Sequence, residues 1–540
     1  GLALQASGGV GFVLLEHLSR LGVGISSAVS LGDKDDVSGT DMLRWWESDE
    51  ATRLAVLYLE SIGNPRKFAR TARGVARTMP VLIVHVGRAA ARATPAASAM
   101  LTRRALFEQA GVIAAANLGE LLDTAALLAS QPVPTGARVA VVSNTRGGAV
   151  LAADACADAG LQVASLAKAT ARALREVLPR QAMVAGPVDT TLLAAPGAFC
   201  QCLELAGADP GVDAVLALTA TAASGDPVPE VSEARLPVPI AAAVMDQVEA
   251  VRLLPGAGED SPAVPAYAYP ESAARALGHA ARYGIWRATP PGRIPDLEGL
   301  CPDRAKELIA GLLADGPRGG WLPPDPAAEL LGCYGLPPPT AIAASSEDAA
   351  VAAAARFGAP VALKADLPGL MRTGGAGALV PVLHDAGDVR RGFRSLQQIF
   401  GSQLAGVIVR PVSTGGVEVT ISVLHEQIFG PLVLFGLASD VVGDRAARIT
   451  PLTDADANDL IRSVHGAQLL AAGPRDTATV GLAALTDMLL RVSRMADDLP
   501  QIAELELSPI AASPHGAQVI DAQVRIQAAE PTDAYLRRLP

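Results

Sequence analysis

Two stretches of the chain repeat one arrangement of apolar and polar positions. An apolar strand over 1–5 leads through Ser7, Gly8, Gly9, Val10 and Gly11 into a helix-periodic segment, 12–21, that stops at Gly22. The second copy starts with a strand over 138–143, passes Asn144, Gly147 and Gly148, and continues as a helix over 149–159 closed by Gly160. Between them the pattern predicts strands near 24–31, 54–60 and 81–86 and a helix over 67–78. Strands alternating with helices predict α/β domains whose parallel sheets are covered on both faces.

The last part of the chain has a different grammar. A helix over 346–357, a strand over 361–364 and a glycine-rich turn at 374–377 are followed by strands at 407–412 and 417–424, and the final strand pair is 503–507 with 518–524. Hairpins mixed with helices predict an α+β domain. Proline-rich connections at 131–136, 289–295 and 321–326 separate these regions. The expected domains are therefore 1–130, 131–296 and 297–540.

A strand, a glycine turn and a helix can do two things. Glycine lets the backbone turn sharply and presents free N–H groups where the helix dipole favours an anion, so Gly8, Gly9, Gly147 and Gly148 are candidate phosphate-binding residues. The same turn is also the ordinary connection of any βαβ unit, in which glycine serves only close packing of helix on strand.

Composition narrows the function. Half of the 540 residues are hydrophobic and 18% are charged, which supplies several cores and lacks the signature of disorder. The longest apolar runs, such as 81–86 and 428–437, are strand-sized and fall short of the ~20 residues that span a bilayer. A formal charge of -11, with no Lys/Arg cluster interleaved with aromatics, argues against a nucleic-acid partner. The five cysteines (Cys156, Cys200, Cys202, Cys301, Cys333) are odd in number and lack CxxC spacing, so they read as buried free thiols of a cytoplasmic protein. The chain opens without Met or a signal-peptide pattern, which reads as a piece of a longer polypeptide.

The segments SGGVGFVLLEHLSRLGVGISSAVSLGDKDDVSGTDML, LAVLYLESIGNPRKFARTARGVARTMPVLIVHVGR and RVAVVSNTRGGAVLAADACADAGL resemble the paired succinyl-CoA-ligase-like domains of the ADP-forming acetate/acyl-CoA synthetases. LLGCYGLPPPT, APVALKADLPGL, GGVEVTISV, FGPLVLFGL and ELELSPI with VIDAQV are similar to the ATP-grasp domain of the same family. The likeness covers nearly the whole chain and is nearest to actinobacterial versions fused to a lysine acetyltransferase. It implies two flavodoxin-like parallel-sheet domains followed by an α+β ATP-grasp domain. It also implies the use of ATP, Mg²⁺, CoA and a small carboxylic acid, with CoA-binding and acetyltransferase domains attached or separate and the oligomeric state open.

The family reaction joins an acid to CoA through an acyl phosphate and a phosphohistidine carried on a mobile loop. That histidine belongs shortly after a Gly-Arg like Gly87-Arg88, where this chain reads AAARATP over 89–95. The nearest histidine, His85, lies in an apparent strand and reads as a packed residue. By resemblance Lys364 contacts nucleotide phosphates and Glu418 faces the nucleotide; their plain alternatives are a strand-end surface lysine and a solvated strand residue. Magnesium falls to Asp521 and to Ser508, which stands where the family has Asn. The family's polar turn reads MRTGG at 371–375, and Ala438-Ser439 replaces a glycine pair. Gly186 to Asp189 follows a family turn and also reads as an ordinary turn capped by aspartate. The resemblance thus implies an ADP-forming acid–CoA ligase lacking its phosphohistidine. The alternatives are a non-catalytic module that senses nucleotide or acyl-CoA for an acetyltransferase, and a scaffold that binds nothing.

Overall fold

The computed structural model describes the chain except at residues 6–7, 33–36, 63, 87–103, 222–225, 259–260, 339, 359, 368–378, 413–416, 427–429, 438–444, 465, 468–469, 471–480, 515 and 529–540. The strands fall into two compact units, those up to Pro290 in the first and those from Pro291 onward in the second.

The first unit holds two mainly parallel sheets. Strands β1 (Leu2–Leu4), β2 (Ala28–Ser30), β3 (Ala55–Leu59), β4 (Val81–His85) and β5 (Ile113–Ala115) lie in the order β2-β1-β3-β4-β5, all parallel. The second sheet contains β6 (Arg138–Ser143), β7 (Gln162–Val163), β8 (Val188–Asp189), β9 (Ala214–Thr219), β10 (Ile240–Val244), β11 (Val251–Leu254) and β12 (Val264–Tyr267). Its order is β11-β12-β10-β9-β6-β7, with β8 also on β6 and β11 as an antiparallel edge. In both sheets the first strand lies between the second and third main strands, the flavodoxin-like order, and its carboxyl end is a switch point where ligands collect. β3, β9 and β10 are buried at every residue, as expected of parallel strands covered on both faces.

Helix α1 (Gly8–Arg20) follows β1, and α2 (Pro65–Thr78) is opened by Asn64, whose side chain accepts from Lys67 N–H. Helix α3 (Leu118–Ser130) closes the first sheet, α4 (Arg146–Asp158) follows β6, and α5 (Pro270–Ala288) joins the two halves of the unit. Tyr283 Oη of α5 donates to the Ala76 carbonyl and Tyr267 Oη donates to the Asp123 carbonyl, each at 2.8 Å. Arg77 lies 4.1 Å above the Trp286 ring and donates to the carbonyls of Trp286, Arg287 and Thr289, satisfying the end of α5.

The second unit is built on two antiparallel sheets. The larger contains β13 (Gly320–Trp321), β18 (Val417–Glu426), β19 (Gly430–Leu437), β20 (Arg445–Ile449), β21 (Ile502–Ser513), β22 (Gly516–Val519) and β23 (Ala522–Ile526). Its order is β13-β23-β21-β18-β19-β20, with β22 on β21. The smaller is β14-β17-β15-β16, formed by β14 (Ile342–Ala344), β15 (Val361–Asp366), β16 (Leu379–Leu383) and β17 (Gly406–Pro411).

Helices α6 (Glu347–Phe357) and α7 (Ala386–Phe400) pack on the smaller sheet through Ala350, Ala353, Val389, Phe393 and Leu396. One face of the larger sheet buries Val419, Ile421, Leu505 and Leu507 against α8 (Leu482–Asp498) and neighbouring helices. Alternation sends Glu418, Thr420, Ser422, Glu506 and Ser508 to the other face. No described helix is long and apolar enough to cross a membrane. The cysteines only partly follow expectation. Cys156, Cys202 and Cys333 are buried, Cys200 is half-buried, and Cys301, which caps the start of a helix, is exposed.

Candidate functional site

The polar face of the larger sheet is shaped by one irregularity. Along β18 and β21, Val419 pairs with Ile510 and Ile421 with Leu507. Ser508 and Pro509 together therefore oppose the single residue Thr420, which is a β-bulge. The Thr420 and Ser508 hydroxyls meet at 3.0 Å. On the other edge of β21, Ser508 N–H donates to the Asp521 carbonyl and Ile520 N–H to the Pro509 carbonyl, both at 3.0 Å. The single strand expected over 518–524 is consequently broken: β22 ends at Val519 and β23 begins at Ala522.

Asp521 stands in that break. Its side chain is freed from the alternation of the strands, and one carboxylate oxygen takes the Lys364 ammonium at 2.9 Å although the group is largely buried. Lys364 comes from β15 of the smaller sheet, where Leu363 and Ala365 enter the core and Lys364 and Asp366 share the opposite face. Residues Thr340 and Ala341, which lead into β14, donate their N–H groups to the Val519 and Ile520 carbonyls and so tie the two sheets near this point. Asp366 is half-buried. Burial raises its carboxyl above the ordinary value, Lys364 pulls it back, and the Asp521 charge pushes it up further.

The remaining expected residues are placed as follows. Glu418 is exposed on the same face as Thr420, opposite Ala511. Glu506 pairs with Gln523 and with Ser422, so a polar row crosses three strands. Among the described residues no group of three or more His, Cys, Asp and Glu side chains is arranged to hold a metal ion. The expected cation ligands that do come together are the Asp521 carboxylate and the Ser508 hydroxyl on the adjacent residue of the ladder. Magnesium takes few protein oxygens and completes its shell with phosphates and water, so this donor set fits it.

The two glycine turns differ in what constrains them. A Cβ on Gly148 would lie 2.4 Å from Leu218 Cδ2, 2.7 Å from Thr145 Oγ1 and 2.8 Å from Ser143 Oγ, so packing of α4 on the sheet requires glycine there. Its N–H is also taken by the Thr145 hydroxyl at 3.2 Å. A Cβ on Gly147 or Gly9 meets nothing within 4 Å. Gly8 is the first residue of α1, and neither α1 nor α4 carries an acidic residue in its first turn to offset the dipole. Asp189 is buried and accepts from Thr191 N–H at 2.9 Å, an aspartate-capped turn. His85 ends β4 in register with Leu59. The loop after Gly87-Arg88, the turn at 371–375 and Ala438-Ser439 lie outside the described residues.

Sequence reading passed over Thr420 and Asp366. Each carried a signal: Thr420 lies two residues after Glu418 and Asp366 two residues after Lys364, the spacing that returns a strand to the same face.

Known proteins resemble the chain over most of its length. Residues 2–128 match the succinyl-CoA ligase like flavodoxin domain, and residues 314–526 match the ATP-grasp domain. The acetate–CoA ligase [ADP-forming] I of Archaeoglobus fulgidus is 30% identical over 537 residues, covering 96% of this chain and 76% of the relative. The 4-hydroxybutyrate–CoA ligase [ADP-forming] of Nitrosopumilus maritimus is 27% identical over 547 residues, covering 96% of this chain and 77% of the relative. Among solved structures, the dinucleotide forming acetyl-coenzyme A synthetase 1 of Ca. Korarchaeum cryptofilum, in complex with phosphate and ADP, is 26% identical at a TM-score of 0.47. That alignment covers 53% of this chain and 65% of the other. On the extent and identity of the first of these matches, the chain belongs to the ADP-forming acetate/acyl-CoA ligase family, whose succinyl-CoA-ligase-like and ATP-grasp domains it carries.

Proposed function

We propose that this chain acts as an ADP-forming acid–CoA ligase, or as its phosphoryl-handling part, converting a carboxylic acid, CoA and ATP to acyl-CoA, ADP and phosphate. The observation that carries the reading is the Lys364–Asp521 pair, set at 2.9 Å beside a bulge on the polar face of an ATP-grasp sheet. Lys364 supplies the point charge that nucleotide phosphates require. Asp521 and Ser508 are the residues that would hold Mg²⁺, which when bound screens the phosphate oxygens. Glu418, exposed at the start of the same face, is assigned to the nucleotide. The helix starts at Gly8, Gly9, Gly147 and Gly148 are assigned to an anion, with Gly147 the better donor because Gly148 N–H is already capped. The named relatives act on acetate and 4-hydroxybutyrate, so a short-chain acid is the proposed substrate.

One observation favours a second reading. Residues 87–103 contain no histidine, so the family's route between distant sites lacks its carrier. In that reading the chain binds nucleotide or acyl-CoA without turnover and regulates an attached acetyltransferase. Incubation with acetate, CoA, ATP and Mg²⁺ separates the two. Formation of ADP and acetyl-CoA supports the ligase. A nucleotide-dependent rise in melting temperature without ADP supports the regulator. Neither signal would remove both.

A further inference from the structure

The nucleotide reading gives roles to Lys364 and Asp521 and leaves Asp366 without one. Asp366 is two residues beyond Lys364 on β15, on the same face, so the two Cα atoms stand about 6–7 Å apart. The Lys364 ammonium is already matched by the Asp521 carboxylate at 2.9 Å. The ammonium's ion pair is with Asp521, so the half-buried Asp366 charge on the same face is only partly compensated, as the upward displacement of its carboxyl against the pull of Lys364 also indicates.

We infer that Asp366 is a specificity-determining residue of the nucleotide cleft, which admits a triphosphate together with a divalent cation and repels the same triphosphate alone. The inference rests on the nucleotide reading and adds a condition to it. When phosphate oxygens take Lys364, Asp521 loses its partner, and two unbalanced carboxylates then face a polyanion. A divalent cation arriving with the nucleotide offsets that repulsion; metal-free nucleotide does not. Unit charges at this separation in a partly buried site interact strongly enough to change affinity on the order of tenfold.

The test is calorimetry of ATP binding to the whole chain, once with excess Mg²⁺ and once with EDTA, for the wild type, Asp366→Asn and Asp366→Glu. The wild type should bind ATP with Mg²⁺ much more tightly than ATP with EDTA. Asp366→Asn should tighten metal-free ATP by about tenfold while changing the Mg²⁺-loaded form less, so that the ratio of the two affinities collapses. Asp366→Glu, which keeps the charge, should restore the ratio. A ratio unchanged in Asp366→Asn, or a parallel loss of both affinities, would overturn the assignment, the second pointing to a purely structural role. Failure of the wild type to bind ATP under either condition would instead remove the nucleotide reading and this inference with it.

Discussion

The two units build their candidate anion positions in different ways. In the first unit the candidate positions are backbone N–H groups at the ends of parallel strands, and one of them is fixed by packing: Gly148 is pressed against Leu218 and Ser143, and its N–H is capped by Thr145. In the second unit the candidate positions are side chains, brought together across two antiparallel sheets by a bulge and an ion pair between residues far apart in sequence. The lesson is that a change in the first unit should be read out in stability, whereas a change in the second should be read out in ligand binding.

That contrast can be broken at its strongest point. Lys364→Ala should weaken ATP binding by about 100-fold, the size of a lost charge-assisted contact, and abolish any ATP-induced rise in melting temperature, while the apo protein melts lower because the buried Asp521 carboxylate loses its partner. A large drop in apo stability with unchanged ATP response would make Lys364 a structural residue. Next in size, Gly148→Ala should cost about 1–3 kcal/mol by overpacking against the buried Leu218 and Ser143, and Gly147→Ala, one residue earlier and open to solvent, should cost nothing measurable by chemical denaturation.

Asp123 sharpens the first half of the comparison. Burial pushes its carboxyl up to about 6, against the pull of Ser272 and Arg275 and with the Glu120 charge adding to the rise. Because that value lies above the ordinary 3.8, the folded state holds the proton more tightly than the unfolded one. Its contribution is fully present below pH ~4 and is lost as the pH rises through about 6. Asp123→Asn should therefore stabilise the protein by about 1–2 kcal/mol at neutral pH and by nothing in acid, as followed by thermal melts across the range. The smallest effect expected is from Thr420→Val, which removes one partner of the Thr420–Ser508 contact and should cost about 1 kcal/mol.

Much of the architecture was legible in the sequence because it follows local rules. β3 is an unbroken apolar run, β4 departs from one only at His85 and β6 only at its ends, Arg138 and Ser143, and the helices behind the glycines keep their period. β21 was read too short, as 503–507, since its apolar phase changes partway: Leu505 and Leu507 enter the core, then Ile510 and Ala512. That slip is the bulge itself. The Lys364–Asp521 contact joins residues 157 apart, and resemblance named both ends without the distance between them. Asp366 reads in the sequence as an ordinary strand residue because Asp521, whose charge it feels, arrives from another sheet.

The phase slip in β21 has an evolutionary consequence. Ser508, Pro509, Ile520 and Asp521 lie where the regular ladder pauses, while the apolar set on either side continues into one core. Changes of side chain at such a pause leave the scaffold's foldability almost untouched. Ser508 stands at this pause, so its side chain can change while the ladder around it is inherited intact.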